Sequence, residues 1–186
     1  MWAVVGLGNP GREHAGNRHN AGFLFVKRLA KEWDVRLKKR RFQAKTAQVS
    51  REGEALWLVL PQTYMNSSGE SVRRLLQETR LDPGCLLVVY DDLDIPLGEV
   101  RVRTEGGPGT HKGMQSIIED AGTTKFPRIR IGIGPLPDGE DAADFVLSDF
   151  GEDDRARLEE SLVKARGALE LILAGRGAQA MNRYNG

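Results

Sequence analysis

The sequence predicts a single α/β domain over residues 1–186, with a mixed β-sheet flanked by helices in three layers. Three observations lead there. Short apolar runs bounded by turn residues alternate with stretches of helical periodicity, the pattern of interleaved strands and helices. The length suits one compact core, and no repeat, low-complexity tract or linker divides it. The 40% hydrophobic and 28% charged residues match an ordinary globular composition rather than a fibrous or disordered one.

WAVVG at 2–6 reads as a buried first strand, which ends in the turn-rich segment Gly6-Leu7-Gly8-Asn9-Pro10-Gly11. From Asn20 to Trp33, the spacing of Phe23, Val26, Leu29, Ala30 and Trp33 predicts a helix with one buried face. KTAQVS (45–50) and ALWLVL (55–60) read as strands on either side of the turn Arg51-Glu52-Gly53-Glu54. Ser67 and Glu70 have capping-box spacing and open the next helix. CLLVVY (85–90) is apolar throughout and predicts a central strand, whereas EVRVR (99–103) alternates as a half-exposed one. A glycine-rich loop, Glu105 to Gly109, leads to a helix over 112–121, and RIRIGIG (128–134) alternates again. Irregular chain with one short helix fills 135–150. Beyond Glu152, the residues Leu158, Leu162, Ala165, Leu169 and Ile172 predict a long amphipathic helix, and AMNRYN is left as a short tail.

Composition excludes several classes. The opening MWAVVGLGNPG lacks the basic start and long apolar run of a secretory signal, and no apolar stretch approaches the roughly 18 residues of a membrane span. A soluble, cytoplasmic protein without membrane association is therefore expected. The single cysteine, Cys85, rules out an internal disulfide framework and reads as a buried, inert thiol. Net charge is only +1, but its distribution is uneven. Lys38, Lys39, Arg40 and Arg41 form a run, and Arg101, Arg103, Lys112, Arg128 and Arg130 gather in the second half. A basic face for a few phosphates and a scatter of solvated charges both fit this distribution.

The chemistry is expected beyond the carboxyl ends of the strands, where open α/β sheets bind ligands. Asn9 follows the first strand, Asn66 lies past ALWLVL, Asp91 directly follows CLLVVY, and His19 sits in the loop leading to the first helix. This set suits water attack assisted by a histidine. An imidazole titrates near neutrality, a carboxylate on its other nitrogen holds the tautomer, and amides donate to an oxyanion without adding charge. No G-x-S-x-G elbow occurs, which favours water over a covalent intermediate.

Each element of that set also has a plainer reading. By spacing alone, a histidine before a helix is a cap or surface residue; His14 keeps that reading, and His111 fits either a helix start or a ligand contact. Asp91-Asp92-x-Asp94 resembles a divalent-cation cluster, but no histidine or cysteine set with metal spacing accompanies it, so orienting or loop-capping carboxylates are expected. Gly6-x-Gly8-x-x-Gly11 matches a dinucleotide fingerprint literally. However, Pro10 interrupts it and the helix begins too late to meet a pyrophosphate, so nucleotide binding is not expected.

Seven segments, in order and nearly end to end, resemble the bacterial peptidyl-tRNA hydrolase family: VVGLGNPG (4–11), RHNAG (18–22), PQTYMNSSG (61–69), YDDLDIPLG (90–98), GGPGTHKGMQSI (106–117), RIRIGIG (128–134) and AMNRYN (180–185). The resemblance implies a monomeric, cofactor-free esterase that frees tRNA from prematurely released peptidyl-tRNA. It implies His19 as general base, Asp91 as its orienting carboxylate, and Asn9 and Asn66 as amides holding substrate and water. Met65 would line the cleft, Tyr64, His111 and Lys112 would contact substrate, and Arg101, Arg103 and Arg130 would face tRNA phosphates. The same fold occurs in non-catalytic RNA-binding relatives, which is the alternative reading.

Two positions depart from the family pattern. Thr110-His111-Lys112-Gly113 stands where the family usually has glycine-histidine-asparagine-glycine, and His14 stands where it commonly has tyrosine. An amide both donates and accepts, whereas an ammonium only donates. Lys112 is therefore expected to contact a phosphate or carbonyl and to lower the pKa of His19.

Overall fold

A computed structural model of the chain describes residues 1–51 and 53–186. Seven strands form one mixed sheet in the order β2-β3-β4-β1-β5-β7-β6. They are β1 (Trp2–Gly6), β2 (Lys39–Arg41), β3 (Ala44–Arg51), β4 (Glu54–Pro61), β5 (Leu86–Pro96), β6 (Val100–Arg103) and β7 (Arg128–Gly134). The central four, β4, β1, β5 and β7, run parallel, and β2, β3 and β6 make the antiparallel margins. Among the described residues the α-helices are α1 (Ala21–Glu32), α2 (Ser68–Thr79), α3 (Lys112–Ala121), α4 (Ala142–Val146), α5 (Arg155–Leu173) and α6 (Gly177–Tyr184).

Two cores sandwich the sheet, giving the expected three layers. Phe25, Val26 and Leu29 of α1 pack with Leu162 and Leu169 of α5 and Ala180 of α6 against one face. Val72 and Leu75 of α2 pack with Met114 and Ile117 of α3 against the other. The parallel strands β1 and β5 are buried on both sides, which is why they read as continuous apolar runs.

The two glycines that end the first strand and begin the first helix serve close packing. A Cβ on Gly6 would stand 2.2 Å from the carbonyl oxygen of Gly22, and one on Gly22 would stand 2.2 Å from that of Val89. Helix α1 thus docks at backbone contact against β1 and β5, and begins only after short 3-10 turns at Arg12–His14 and Arg18–Asn20. Two glycines of the apparent dinucleotide fingerprint thus serve packing against α1, Gly6 against Gly22 and Gly8 against the Phe23 ring, where a Cβ would stand 2.6 Å away.

Several local expectations change. Ser67 caps nothing with its side chain; a 3-10 turn at Met65–Ser67 precedes α2, and Ser68 Oγ donates to the Met65 carbonyl at 2.7 Å. RIRIGIG alternates in sequence but is buried almost throughout, as an interior strand with β5 and β6 on its two edges. The tail is helix α6, and the Asn185 amide brackets Val102 on the outer edge of β6, accepting from its N–H at 2.7 Å and donating to its carbonyl at 2.9 Å. Part of the basic run pairs as edge strand β2. Cys85 is half-buried in a 3-10 turn, where burial pushes its thiol pKa up. Among the described residues, no helix is long and apolar enough to cross a membrane.

Candidate active site

The connections from β1 and β5 leave in opposite directions, β1 toward β4 and β5 toward β7, so the crevice of this sheet lies between them. The β1–β5 ladder ends at Gly6↔Val89, while β5 runs on through Asp91 with β7 as its remaining neighbour. Asp91 is therefore inside a long strand rather than beyond its end, at the point where the neighbouring strand stops. His19 arrives from the turn before α1, and His111 from the residue that caps α3.

Asp91 is 3% exposed and holds both imidazoles. Its Oδ2 lies 2.7 Å from His19 Nδ1, and its Oδ1 lies 2.9 Å from His111 Nε2. The Nδ1 of His111 accepts the Met114 N–H at 3.3 Å, so its Nε2 carries the proton donated to Asp91. By the same logic, His19 donates from Nδ1 and keeps Nε2 as a free base. The rings of His19 and His111 stand 5.1 Å apart, and Tyr90 packs edge-on against His111 at 4.8 Å.

Electrostatics follow from this geometry. Burial would raise the Asp91 pKa, but the two imidazoles outweigh it and hold the carboxyl down at about 2. Burial would lower the His19 pKa, but the charge of Asp91 and its hydrogen bond outweigh that and leave it above the usual 6.5. The expected depression by Lys112 does not prevail, because Asp91 is in direct contact and Lys112 sits on the exposed rim. The ligand atoms of His19, Asp91 and His111 lie within 4.8 Å of one another, each engaged within the triad. Asp92 is taken up separately by Arg130 at 2.7 Å, so the aspartate run does not act as one cluster.

Asn9 is fixed on three sides. Its backbone N–H donates to Asn20 Oδ1 at 2.9 Å, its carbonyl accepts from Asn20 Nδ2 at 3.0 Å, and its Oδ1 accepts the Met65 N–H at 2.8 Å. With that oxygen committed, the amide NH2 is the group left for the cleft. A model of the family described as peptidyl-tRNA hydrolase matches residues 3–186. The chain belongs to the peptidyl-tRNA hydrolase family.

Relatives and solved structures agree. The chain is 47% identical to the peptidyl-tRNA hydrolase of Chloroflexus aggregans, over 100% of this chain and 99% of that protein. It is 40% identical to that of Bacillus subtilis, over 100% of this chain and 98% of the other. The crystal structure of the Acinetobacter baumannii peptidyl-tRNA hydrolase superposes with a TM-score of 0.90 at 36% identity, covering 98% of this chain and 93% of that one. These names leave the non-catalytic RNA-binding alternative without support.

The cleft of this family member has a volume of about 1010 Å³ and brings together Asn9, His19, Tyr64, Met65, Asn66, Asp91, His111, Lys112, Arg103 and Arg130. Met65 is buried, and a Cβ on Gly113 would come within 2.6 Å of its sulfur, so Gly113 lets the Met65 and His111 walls meet. Tyr64 is 69% exposed, and Asn66 and Lys112 are also at the rim. Arg101 does not line the cleft, although it lies directly opposite Arg130 in the β6–β7 ladder.

Three further residues, to which the sequence assigned no place in the site, help build it. Asn20 clamps Asn9, and Tyr90 packs on His111. Arg128, only 1% exposed, donates to the carbonyls of Gly106 at 2.7 Å, Gly107 at 3.1 Å and Thr124 at 2.9 Å. It anchors the glycine-rich loop that delivers His111. A signal existed in RIRIGIG, since an arginine in an apolar strand needs partners, but nothing local names them.

Proposed function

We propose that this family member hydrolyses the ester between peptide and tRNA by direct attack of water, with His19 as general base. The observation that carries this reading is the Asp91 bridge, which accepts the Nδ1–H of His19 and leaves Nε2 free toward the cleft. Nε2 removes a proton from water as the water oxygen bonds to the ester carbonyl carbon. Asp91 stabilises the resulting imidazolium, and His111 holds the other oxygen of Asp91. The NH2 of Asn9 donates to the tetrahedral oxyanion, and Asn66 at the rim positions substrate and water. Collapse breaks the bond to the ribose oxygen, which takes the proton from His19. Products are a peptide acid and a free tRNA.

Tyr64, Met65 and Lys112 contact the substrate on the walls and rim, and Arg103 and Arg130 face tRNA phosphates from the β7–β6 side. Arg101 contributes from outside the cleft. The protein acts as a monomer in this reading. The test is cleavage of peptidyl-tRNA by the wild type beside His19→Ala: turnover should vanish while tRNA binding persists, and undiminished turnover would rule the mechanism out.

A further inference from the structure

A second pocket lies on the far side of Asn9, and the mechanism makes no use of it. Its volume is about 240 Å³, and Arg12, Lys27 and Lys45 line it beside Asn9, Asn20 and Gln62. Asn9 also lines the cleft of the candidate site, so the two spaces adjoin at this residue. The three cations come from separate elements: the turn after β1, helix α1 and strand β3. None of them makes an ion pair among the described residues. Glu13, the acid across Gly11, faces His14 at 3.9 Å instead.

The charge continues outward. Lys45 is directly opposite Arg40 in the antiparallel β2–β3 ladder, which puts both side chains on the same face of the sheet. Like charges placed so oppose each other, and Arg40 also has no acidic partner among the described residues. Basic residues often guard an edge strand against pairing with another sheet. That explains Arg40 on β2, but not Lys27 on a helix or Lys45 beside a pocket. Burial and the nearby Lys45 charge push the Lys27 pKa down, as expected for cations left without a counter-charge.

Four cations in a row, Arg40, Lys45, Lys27 and Arg12, thus lead from the sheet edge to the back of Asn9. This arrangement suits a chain of regularly spaced anions that ends at the reacting centre. We propose that this strip and pocket bind phosphodiester groups of the tRNA, separately from Arg103 and Arg130 on the opposite side of the cleft. The proposal rests on tRNA being the substrate, but not on the identity of the base.

The test is binding of deacylated tRNA over a salt series. It compares wild type, Lys27→Gln with Lys45→Gln, and a control that removes two exposed charges from α5, Arg155→Gln with Arg157→Gln. Two lost phosphate contacts should flatten the slope of log K against log salt by about 1.5 and weaken binding at low salt by about tenfold. The control should keep the wild-type slope. Equal slopes in all three proteins overturn the proposal. Loss of inorganic phosphate binding in the strip variant, with an unchanged tRNA slope, also overturns it by making the pocket a free-anion site. If the first double variant melts early, Arg12→Gln with Arg40→Gln removes the outer charges and is held to the same slope criterion. Because the tRNA carries no ester, a failure of peptidyl-tRNA cleavage would count against the catalytic reading and leave this one standing.

Discussion

The backbone N–H of Met65 donates to Oδ1 of Asn9 at 2.8 Å, joining the loop after β4 to the loop after β1. This bond settles which way the Asn9 amide points, and leaves its NH2 as the group turned to the cleft.

Asn9→Asp keeps the acceptor for Met65 but replaces the NH2 donors with a second, anionic oxygen. Removing one oxyanion donor costs about 10²–10³ in kcat, and the added charge repels the oxyanion. Steady-state kinetics should show kcat falling by at least that factor with KM moving far less. A loss confined to KM would reassign Asn9 to substrate binding.

The His19–Asp91 pair makes activity and stability prefer different pH. His19 must be neutral to act, and its pKa is raised, so the acid limb of kcat/KM should inflect above 6.5. The stability that His19 contributes is complete below its unfolded pKa and is lost as pH rises through the folded one. That from Asp91 is present above about 3.8 and is lost as pH falls toward about 2. The pair therefore stabilises most between about 4 and about 6.5, on the acid side of the activity optimum. In Asp91→Asn, burial alone acts on His19, so the inflection should move below 6.5 while the rate drops. An unmoved inflection would exclude His19 as the titrating base.

Arg128→Met leaves the carbonyls of Gly106, Gly107 and Thr124 without their donor. Unpaired buried acceptors cost about 1–3 kcal/mol each when water cannot reach them, so a loss of about 2–4 kcal/mol is expected where solvent reaches the loop in part. Chemical denaturation measures it. Arg128→Lys should recover only a fraction, because an ammonium lacks the planar fork. Wild-type stability in Arg128→Met would show that the loop needs no anchor.

Lys112 is exposed at the first position of α3, where a cation opposes the helix dipole at a cost of about 0.3–1 kcal/mol. It has no acidic partner among the described residues, so its gain is expected from the substrate. Lys112→Asn should raise the melting temperature slightly and raise KM severalfold with little change in kcat. Equal KM values would make the lysine a tolerated replacement.

The strands, the main helices and most of the residues that line the cleft were legible in the sequence, because burial imposes periodicities of 2 and 3.6 and open α/β sheets place their crevices near the carboxyl ends of the strands. His19, Asp91, Asn9 and Met65 stand in segments whose order alone marks the family. Other features carried no local signal. The tail orders as α6 because Asn185 finds the free edge of β6. The partners of Arg128 are carbonyls 22, 21 and 4 residues away.

By itself, the sequence determined the layered α/β fold and the kinds of group that line the cleft, since both follow from side-chain type and spacing along one chain. The tertiary structure alone decided that Asp91 serves two histidines, that the His19 pKa rises rather than falls, that Asn9 shows its NH2 to the cleft, and that cations without an ion-pair partner among the described residues gather in the pocket beside it. The reason is physical. Hydrogen-bond direction and charge balance depend on distances of a few ångströms between residues far apart in the chain, and only packing sets those distances.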